Sequence, residues 1–245
     1  MKKWHLWWAL MTIPVASTAF ASTTLHELAS LHTQLAVEYA RAGQYRMALD
    51  SAERAVSSDA NFAPAWLARA YVESALSMDD AAERDYQKAL RLAPDDAETN
   101  NNYGQFLCEK GRAGEAIALF DKALSDPLYG SPQTAYFNLG RCSLKLNRAE
   151  RAIVYLQDAL RVAPDYIPAL KSLAALYLDQ GSVKLATYYY GRLIQHAGTP
   201  EPDDLLLGVR IARLAGDRVR EARFAEMLLS RYPDSKETQQ LLSGT

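Results

Sequence analysis

The feature that most constrains this 245-residue chain is a residue pattern that returns every 34 residues. In each copy a small residue is followed twelve positions later by a second small residue, then by a large residue four positions further on. Residues Ala70, Ala82 and Tyr86 show it best. Because two antiparallel helices approach closely only where a small side chain faces a large one, the spacing predicts a helix-turn-helix unit repeated along the chain.

A helix-turn-helix unit of 34 residues is the tetratricopeptide repeat, and Trp66 and Pro94 occupy its Trp and Pro positions. The predicted fold class is therefore all-α, a right-handed superhelix of about six such repeats with no strands required. The predicted repeats cover residues 29–62, 63–96, 97–130, 133–166, 167–200 and 201–234. The last repeat is degenerate, since its alanine position falls on Arg220 or Glu221, which is typical of a terminal capping repeat.

Turn residues agree with this register. Gly43, Gly111 and Gly181 stand between the first and second helices of their repeats, where a residue in the left-handed region ends a helix. Residues 126–132 insert two residues into the period and contain two prolines and a glycine. This segment predicts a longer loop between the third and fourth repeats.

The first 21 residues have the parts of a cleavable secretory signal. They comprise Lys2 and Lys3, an apolar run over residues 4–16, and the small-x-small site Ala19-Phe20-Ala21. The apolar run is shorter than the roughly 20 residues that span a bilayer, and Pro14 interrupts it, so an uncleaved anchor is disfavoured. We predict a signal over 1–21, an extension over 22–28, one repeat domain over 29–245, and a periplasmic protein with no transmembrane segment in its mature chain.

The charge and the motifs exclude other function classes. The formal net charge is −2, and nucleic-acid binders normally carry a basic surface, so nucleic acid is not an expected partner. The sequence has no HExxH or GxSxG motif and no glycine-rich phosphate loop after a strand. We therefore predict no enzyme, no cofactor and no metal site, and we rank an enzyme or a sugar-binding protein lowest.

A repeat scaffold of this kind is expected to bind proteins along the wall formed by its first helices. By analogy with other tetratricopeptide proteins, the predicted groove residues are Tyr71, Asn101, Gln105, Glu109, Phe137, Arg141, Lys145 and Lys171. A mixed aromatic, amide and cationic strip suits a peptide or helix with both apolar and polar groups. Arg141 and Lys145, four residues apart, are also compatible with a merely solvated helix face. Asn102 and Asn138 are expected to be structural.

Two further features narrow the binding prediction. Thr33 and Val37 stand where repeats that clamp chaperone tails need Lys and Asn, so that partner class is disfavoured. Cys108 and Cys142 form no CxxC pair, and they lie late on the first helices of adjacent repeats. In an oxidising compartment they are a disulfide candidate, and the alternative is two small buried thiols.

Several segments resemble the type IV pilus biogenesis and stability family, PilW/PilF. They are residues 101–108, 126–129, 138–142, 205–212 and 231–235. The resemblance implies a periplasmic pilus accessory of the pilotin type, which helps the outer-membrane secretin localise and multimerise or stabilises assembled pili. The implied partner is the secretin or another pilus component.

The chain departs from many members of that family in one respect. Those members carry a lipidated cysteine directly after the signal, whereas no cysteine precedes Cys108 here. A soluble chaperone, or a component docked on other pilus proteins, therefore fits better than a lipid-anchored carrier. The competing interpretation is a periplasmic repeat scaffold for envelope or cell-wall assembly complexes.

Overall fold

The computed structural model describes residues 17–244, with side chains from Thr24 onward. This range contains thirteen helices and no strand. The chain divides into two compact units, one ending at Pro94 and the other beginning at Asp95. Most of the predicted signal over 1–21 lies outside the described residues, so its cleavage and the single domain over 29–245 stay predictions.

The helices of each unit pair in chain order. The first unit contains α1 (Ser17–Arg41), α2 (Tyr45–Ser58), α3 (Ala63–Ala75) and α4 (Asp79–Leu92). The second contains α5 (Ala97–Glu109), α6 (Ala113–Leu124), α7 (Pro132–Lys145), α8 (Ala149–Val162), α9 (Ile167–Asp179), α10 (Val183–His196), α11 (Pro202–Leu214), α12 (Arg218–Arg231) and α13 (Lys236–Ser243). Each odd-numbered helix up to α11 packs on the next one, and α13 packs on α11 and α12. No helix within residues 17–244 has the length and apolar character that crossing a bilayer requires.

The turn inside each helix pair holds one residue with positive φ. These residues are Gly43, Ser77, Gly111, Asn147, Gly181 and Gly216. The predicted role of the three glycines is confirmed. Asn147 at φ 56° is of a residue type that adopts this conformation readily, whereas Ser77 at φ 60° takes it at a cost of about 1–2 kcal/mol. The repeated turn geometry therefore overrides local residue preference at Ser77.

Each of the first five pairs is closed by the fourth and eighth residues of its second helix. The fourth residue is an alanine with no exposed surface, namely Ala48, Ala82, Ala116, Ala152 and Ala186. The eighth is a large buried residue in four of the five: Tyr86, Phe120, Leu156 and Tyr190. Glycines on the facing helices let these side chains approach: a Cβ on Gly104 would lie 2.8 Å from the Phe120 ring, and one on Gly140 would lie 2.9 Å from Leu156 Cγ.

The predicted longer loop is present between α6 and α7. It covers residues 125–131, whereas residues 93–96 join α4 to α5. Its Leu128 is 90% exposed, while the neighbouring Tyr129 turns inward. Burial, together with the nearby Glu98 carboxylate, raises the pKa of the Tyr129 phenol. The tyrosine thus anchors a loop that presents a leucine to solvent.

The first unit contains a buried charged cluster on α3 and α4. Arg69 Nε lies 2.5 Å from Asp85 Oδ2 and 3.8 Å from Glu73 Oε1. The second oxygen of Glu73 is buried with no hydrogen-bond partner in the described chain. Burial, reinforced by the Asp85 charge, raises the pKa of Glu73 to about 7. Arg69 donates two hydrogen bonds to Asp85, of 2.5 and 3.1 Å, so Asp85 is its closer partner.

Candidate functional site

The predicted groove residues lie in both units. Tyr71 is on α3 of the first unit and is 47% exposed. The others lie on α5, α7 and α9 of the second unit. The structure brings four of these together: Gln105 and Glu109 on α5, and Arg141 and Lys145 on α7. We call these four residues the α5–α7 cluster.

The α5–α7 cluster is linked by polar contacts within and between its two helices. Gln105 Nε2 donates to Glu109 Oε1 at 3.1 Å, and Arg141 Nη2 lies 3.9 Å from the same oxygen. Lys145 Nζ donates to the carbonyl oxygen of Cys108 at 3.3 Å. Arg141 and Glu109 keep 42% and 41% of their side chains exposed, so both charges remain available to a partner.

Directly beneath this cluster Cys108 and Cys142 form a disulfide, with their Cα atoms 5.7 Å apart. Cys108 is 5% exposed and Cys142 is fully buried. The bond joins α5 to α7, so it fixes the helix spacing on which the α5–α7 cluster depends. The alternative of two free buried thiols does not hold in this structure.

The structure corrects the groove prediction at Asn101. This residue is only 2% exposed, and its Oδ1 accepts a hydrogen bond of 3.1 Å from Asn138 Nδ2. Its own amide donates to Asn102 Oδ1 at 3.3 Å. Because its polar atoms serve this buried network between α5 and α7, Asn101 does not line an accessible surface. Asn138 has the structural role that we expected.

The remaining two candidates, Phe137 on α7 and Lys171 on α9, are engaged by neighbouring side chains. The Phe137 ring meets the Tyr166 ring edge-on at 5.8 Å, and the Arg141 guanidinium lies 5.8 Å from the Phe137 centroid. Lys171 Nζ lies 2.5 Å from Asp203 Oδ2 and 2.7 Å from Asp204 Oδ1.

Burial alone would lower the pKa of Lys171, but the hydrogen bonds that it donates to Asp203 and Asp204 outweigh burial and raise the pKa. The positive charge of Lys171 is therefore used in ion pairs that link α9 to α11. Phe137 continues the surface of the α5–α7 cluster, whereas Lys171 has little capacity left for a partner.

One exposed surface was missed by the sequence reasoning. Four leucines of α1 are 38–52% exposed, namely Leu25, Leu28, Leu31 and Leu35. The last of them, Leu35, lines a depression of about 280 Å³ together with Met47, Arg46 and Asp50. The signal was the leucine spacing of three and four residues, which places these side chains on one helix face.

Comparisons with known proteins identify the family. Residues 63–96 and 95–165 each match a family described as tetratricopeptide repeat. Over 214 residues the chain is 30% identical to the type IV pilus assembly protein PilF of Pseudomonas aeruginosa, covering 87% of this chain and 84% of that protein. It is also 39% identical to the crystal structure of PilW, a type IV pilus biogenesis factor, with a TM-score of 0.80 over 87% of this chain and 98% of that one. The chain belongs to the PilF/PilW family.

Membership of the PilF/PilW family confirms both the predicted resemblance and the all-α tetratricopeptide fold. A solved structure of Pseudomonas aeruginosa PilF matches with a TM-score of 0.78 at 29% identity, over 91% of this chain and the whole of that one. The second unit of this PilF/PilW protein therefore presents the α5–α7 cluster on a scaffold that type IV pilus biogenesis factors share.

Proposed function

We propose that this protein is a non-catalytic, periplasmic scaffold of type IV pilus biogenesis. Its α5–α7 cluster binds a segment of the outer-membrane secretin or of another pilus component. Through this binding it assists secretin multimerisation and localisation, or the stability of assembled pili. Membership of the PilF/PilW family supports the pathway, and the cluster supports the binding role.

One observation carries the proposal: four accessible polar side chains converge on two adjacent helices that a disulfide holds in place. Arg141 and Lys145 can donate hydrogen bonds to a carboxylate or a carbonyl oxygen of a partner, and Glu109 and Gln105 can accept from its donors. Since the helices are already fixed, little conformational entropy is lost on binding. A surface of this kind recognises a peptide segment.

The shape of the site also favours a protein partner over a small substrate. The depression among the four side chains measures about 10 Å³. Sites for drug-sized ligands have volumes of roughly 300–1,000 Å³. A partner must therefore lie across the α5–α7 cluster rather than enter it, which is the mode expected of an adaptor.

Deletion of the gene in its host tests the pathway. Secretin is followed by immunoblotting of unheated membrane fractions, and surface pili are counted in parallel. Loss of secretin multimers supports the assembly role, whereas intact multimers with fewer pili support pilus stabilisation. No change in either contradicts the pilus role and leaves a scaffold for other envelope complexes as the better account.

A charge reversal tests the α5–α7 cluster itself. The deletion strain is complemented with Arg141→Glu or with the matched control Arg151→Glu, which alters an exposed arginine on α8. We expect Arg141→Glu to lose the complementing activity and Arg151→Glu to retain it. Immunoblotting confirms that both variants accumulate, and mass spectrometry of the wild type tests export by showing whether its chain begins at Ser22.

A further inference from the structure

The second helices of the six pairs, from α2 to α12, differ in their net charge. Basic and acidic residues balance in α2 and α8, and α4 and α6 each have one more acidic than basic residue. In contrast, α10 contains two cations and no Asp or Glu, and α12 contains four arginines and two glutamates. With histidine neutral, each of these two helices carries two excess positive charges, in a chain whose formal net charge is −2. Positive charge is therefore concentrated on the second helices of the last two pairs.

The helices α10 and α12 are neighbours in space. The ring of Tyr190 on α10 meets the ring of Phe224 on α12 edge-on, with centroids 5.4 Å apart. Because this contact joins the two helices, their exposed residues border one another on the outside of the second unit. We call the following exposed residues the α10–α12 face: Lys184, Leu185, Tyr188, Val219 and Arg223.

The cations of the α10–α12 face are not neutralised by the protein itself. Lys184 and Arg223 are exposed, and neither side chain has an ion-pair partner among the residues that the structure describes. Arg192 adds a third positive charge, since its guanidinium donates only to a backbone carbonyl oxygen. Glu226 is the one exposed carboxylate of α12. Three positive charges against one negative charge favour an anionic partner.

Apolar side chains project between these charges. Val219 is 81% exposed, Tyr188 is 56% exposed and Leu185 is 44% exposed, whereas α4 and α6 expose no large hydrophobic residue. The Arg192 guanidinium lies 5.8 Å from the centroid of the Tyr188 ring. Tyrosine combines an apolar ring with a polar tip, and it is enriched at membrane–water interfaces for this reason. The α10–α12 face thus combines positive charge with protruding apolar groups.

We propose that the α10–α12 face binds the surface of an anionic lipid bilayer, with its apolar side chains inserted among the headgroups and its cations near the lipid phosphates. Attachment of this kind is driven by buried apolar area together with electrostatic attraction to anionic lipids. The apolar side chains protrude from two outer helices, and a fluid bilayer accommodates such groups, whereas a protein partner must supply a pocket for each one. Because α10 and α12 are second helices, the α5–α7 cluster on the first helices stays accessible to a protein while the bilayer is bound.

Flotation with lipid vesicles in a density gradient tests this proposal. The purified protein lacks residues 1–21, because an apolar signal would itself bind lipid. We expect it to float with vesicles of phosphatidylethanolamine and phosphatidylglycerol and to stay unbound with vesicles of phosphatidylcholine alone. Raising the ionic strength from about 0.1 to 1 M shortens the screening length from about 10 to 3 Å, so binding to the anionic vesicles should fall about tenfold.

Single substitutions assign the binding to the α10–α12 face. Lys184→Ala and Arg223→Ala should each weaken binding to the anionic vesicles about fivefold, which is the factor expected for one cation near such a surface. Arg91→Ala alters an exposed arginine of α4 and is the matched control, with no expected effect. Val219→Ser should weaken binding about threefold through lost apolar contact, whereas Leu128→Ser, at a leucine that is 90% exposed elsewhere, should not. All five positions are exposed, so circular dichroism and melting temperatures should match the wild type.

Three results would overturn the proposal. They are a wild type that does not float with anionic vesicles, equal binding to the anionic and the phosphatidylcholine vesicles, and equal effects of Arg223→Ala and Arg91→Ala. Binding to polyglutamate without binding to vesicles would also contradict it and would assign the α10–α12 face to an acidic protein segment. The vesicle assay needs no secretin or pilus, and Arg141→Glu alters none of the residues of this face. Lipid binding and the pilus role can therefore fail separately.

Discussion

The α7–α8 and α11–α12 pairs follow the same helix-turn-helix plan and differ in how closely they pack. In the former, Ala152 and Leu156 of α8 are fully buried, and Gly140 of α7 lies against Leu156. In the latter, Glu221 and Ala225 take the equivalent positions on α12. The first pair is closed, and beside the second a cavity of about 130 Å³ opens among α10, α11 and α12.

The comparison teaches that two positions per repeat contribute to how closely a helix pair packs, although the α1–α2 pair closes with the small Ala52 at the second of them. A small residue at the first position lets the helices approach, and a large residue at the second fills the space that remains. Helix formation itself does not require either, since α12 is as long as α8. A repeat that departs from both positions keeps its place in the fold, and in α12 the large residue that lies against Gly208 is Phe224, one position earlier.

The largest effect is expected from the disulfide that joins α7 to α5, which has no counterpart in the α11–α12 pair. Replacing both Cys108 and Cys142 by alanine removes a cross-link between residues separated by 34 positions. We expect the free energy of unfolding to fall by about 3–4 kcal/mol, as measured by denaturant unfolding under oxidising conditions. In a reducing buffer the difference should largely disappear. Equal melting temperatures of the oxidised wild type and the Cys108→Ala variant would contradict a stabilising role of the disulfide.

A smaller effect tests the close approach directly. Gly140→Ala adds a Cβ that would lie 2.9 Å from Leu156 Cγ and 3.4 Å from the Ala152 carbonyl oxygen. We expect a loss of about 2 kcal/mol in unfolding free energy from this overpacking. Gly191→Ala is the matched control, because its Cβ meets nothing within 4 Å and the change should stabilise the helix by about 0.5–1 kcal/mol. Equal effects of the two substitutions would contradict the packing argument.

The smallest effect comes from restoring the pattern in α12. The double variant Glu221→Ala and Ala225→Leu should let α12 close on α11, with a gain on the order of 1 kcal/mol. The gain is limited because Glu221 loses its ion pair with Arg213, where the atoms lie 2.7 Å apart at an exposed position. Thermal unfolding measures the change. A lower melting temperature of the double variant would contradict the packing argument.

Most of the helical architecture could be predicted from the 34-residue period. The period reflects the small and large residues at helix contacts, and these contacts recur in every repeat. The Gly43 turn and the loop at residues 125–131 followed from the same register. The site was less predictable, because the groove residues were assigned only from their position within each repeat. That position does not reveal whether Asn101 contacts another asparagine or whether Lys171 contacts acidic residues of the next repeat. Such pairings depend on neighbours in space, and no spacing within one repeat encodes them.

Protonation of the buried Glu73 side chain stabilises the first unit. Its pKa is about 7 in the folded protein, against a reference value of 4.5. A raised carboxyl pKa means that the folded state binds the proton more tightly than the unfolded state. The stability that this proton contributes is fully present below pH 4.5 and is lost as the pH rises through 7. The α3–α4 pair therefore depends on the acidity of its surroundings, and Glu73→Gln, which keeps the neutral form, should make unfolding less sensitive to pH across this window.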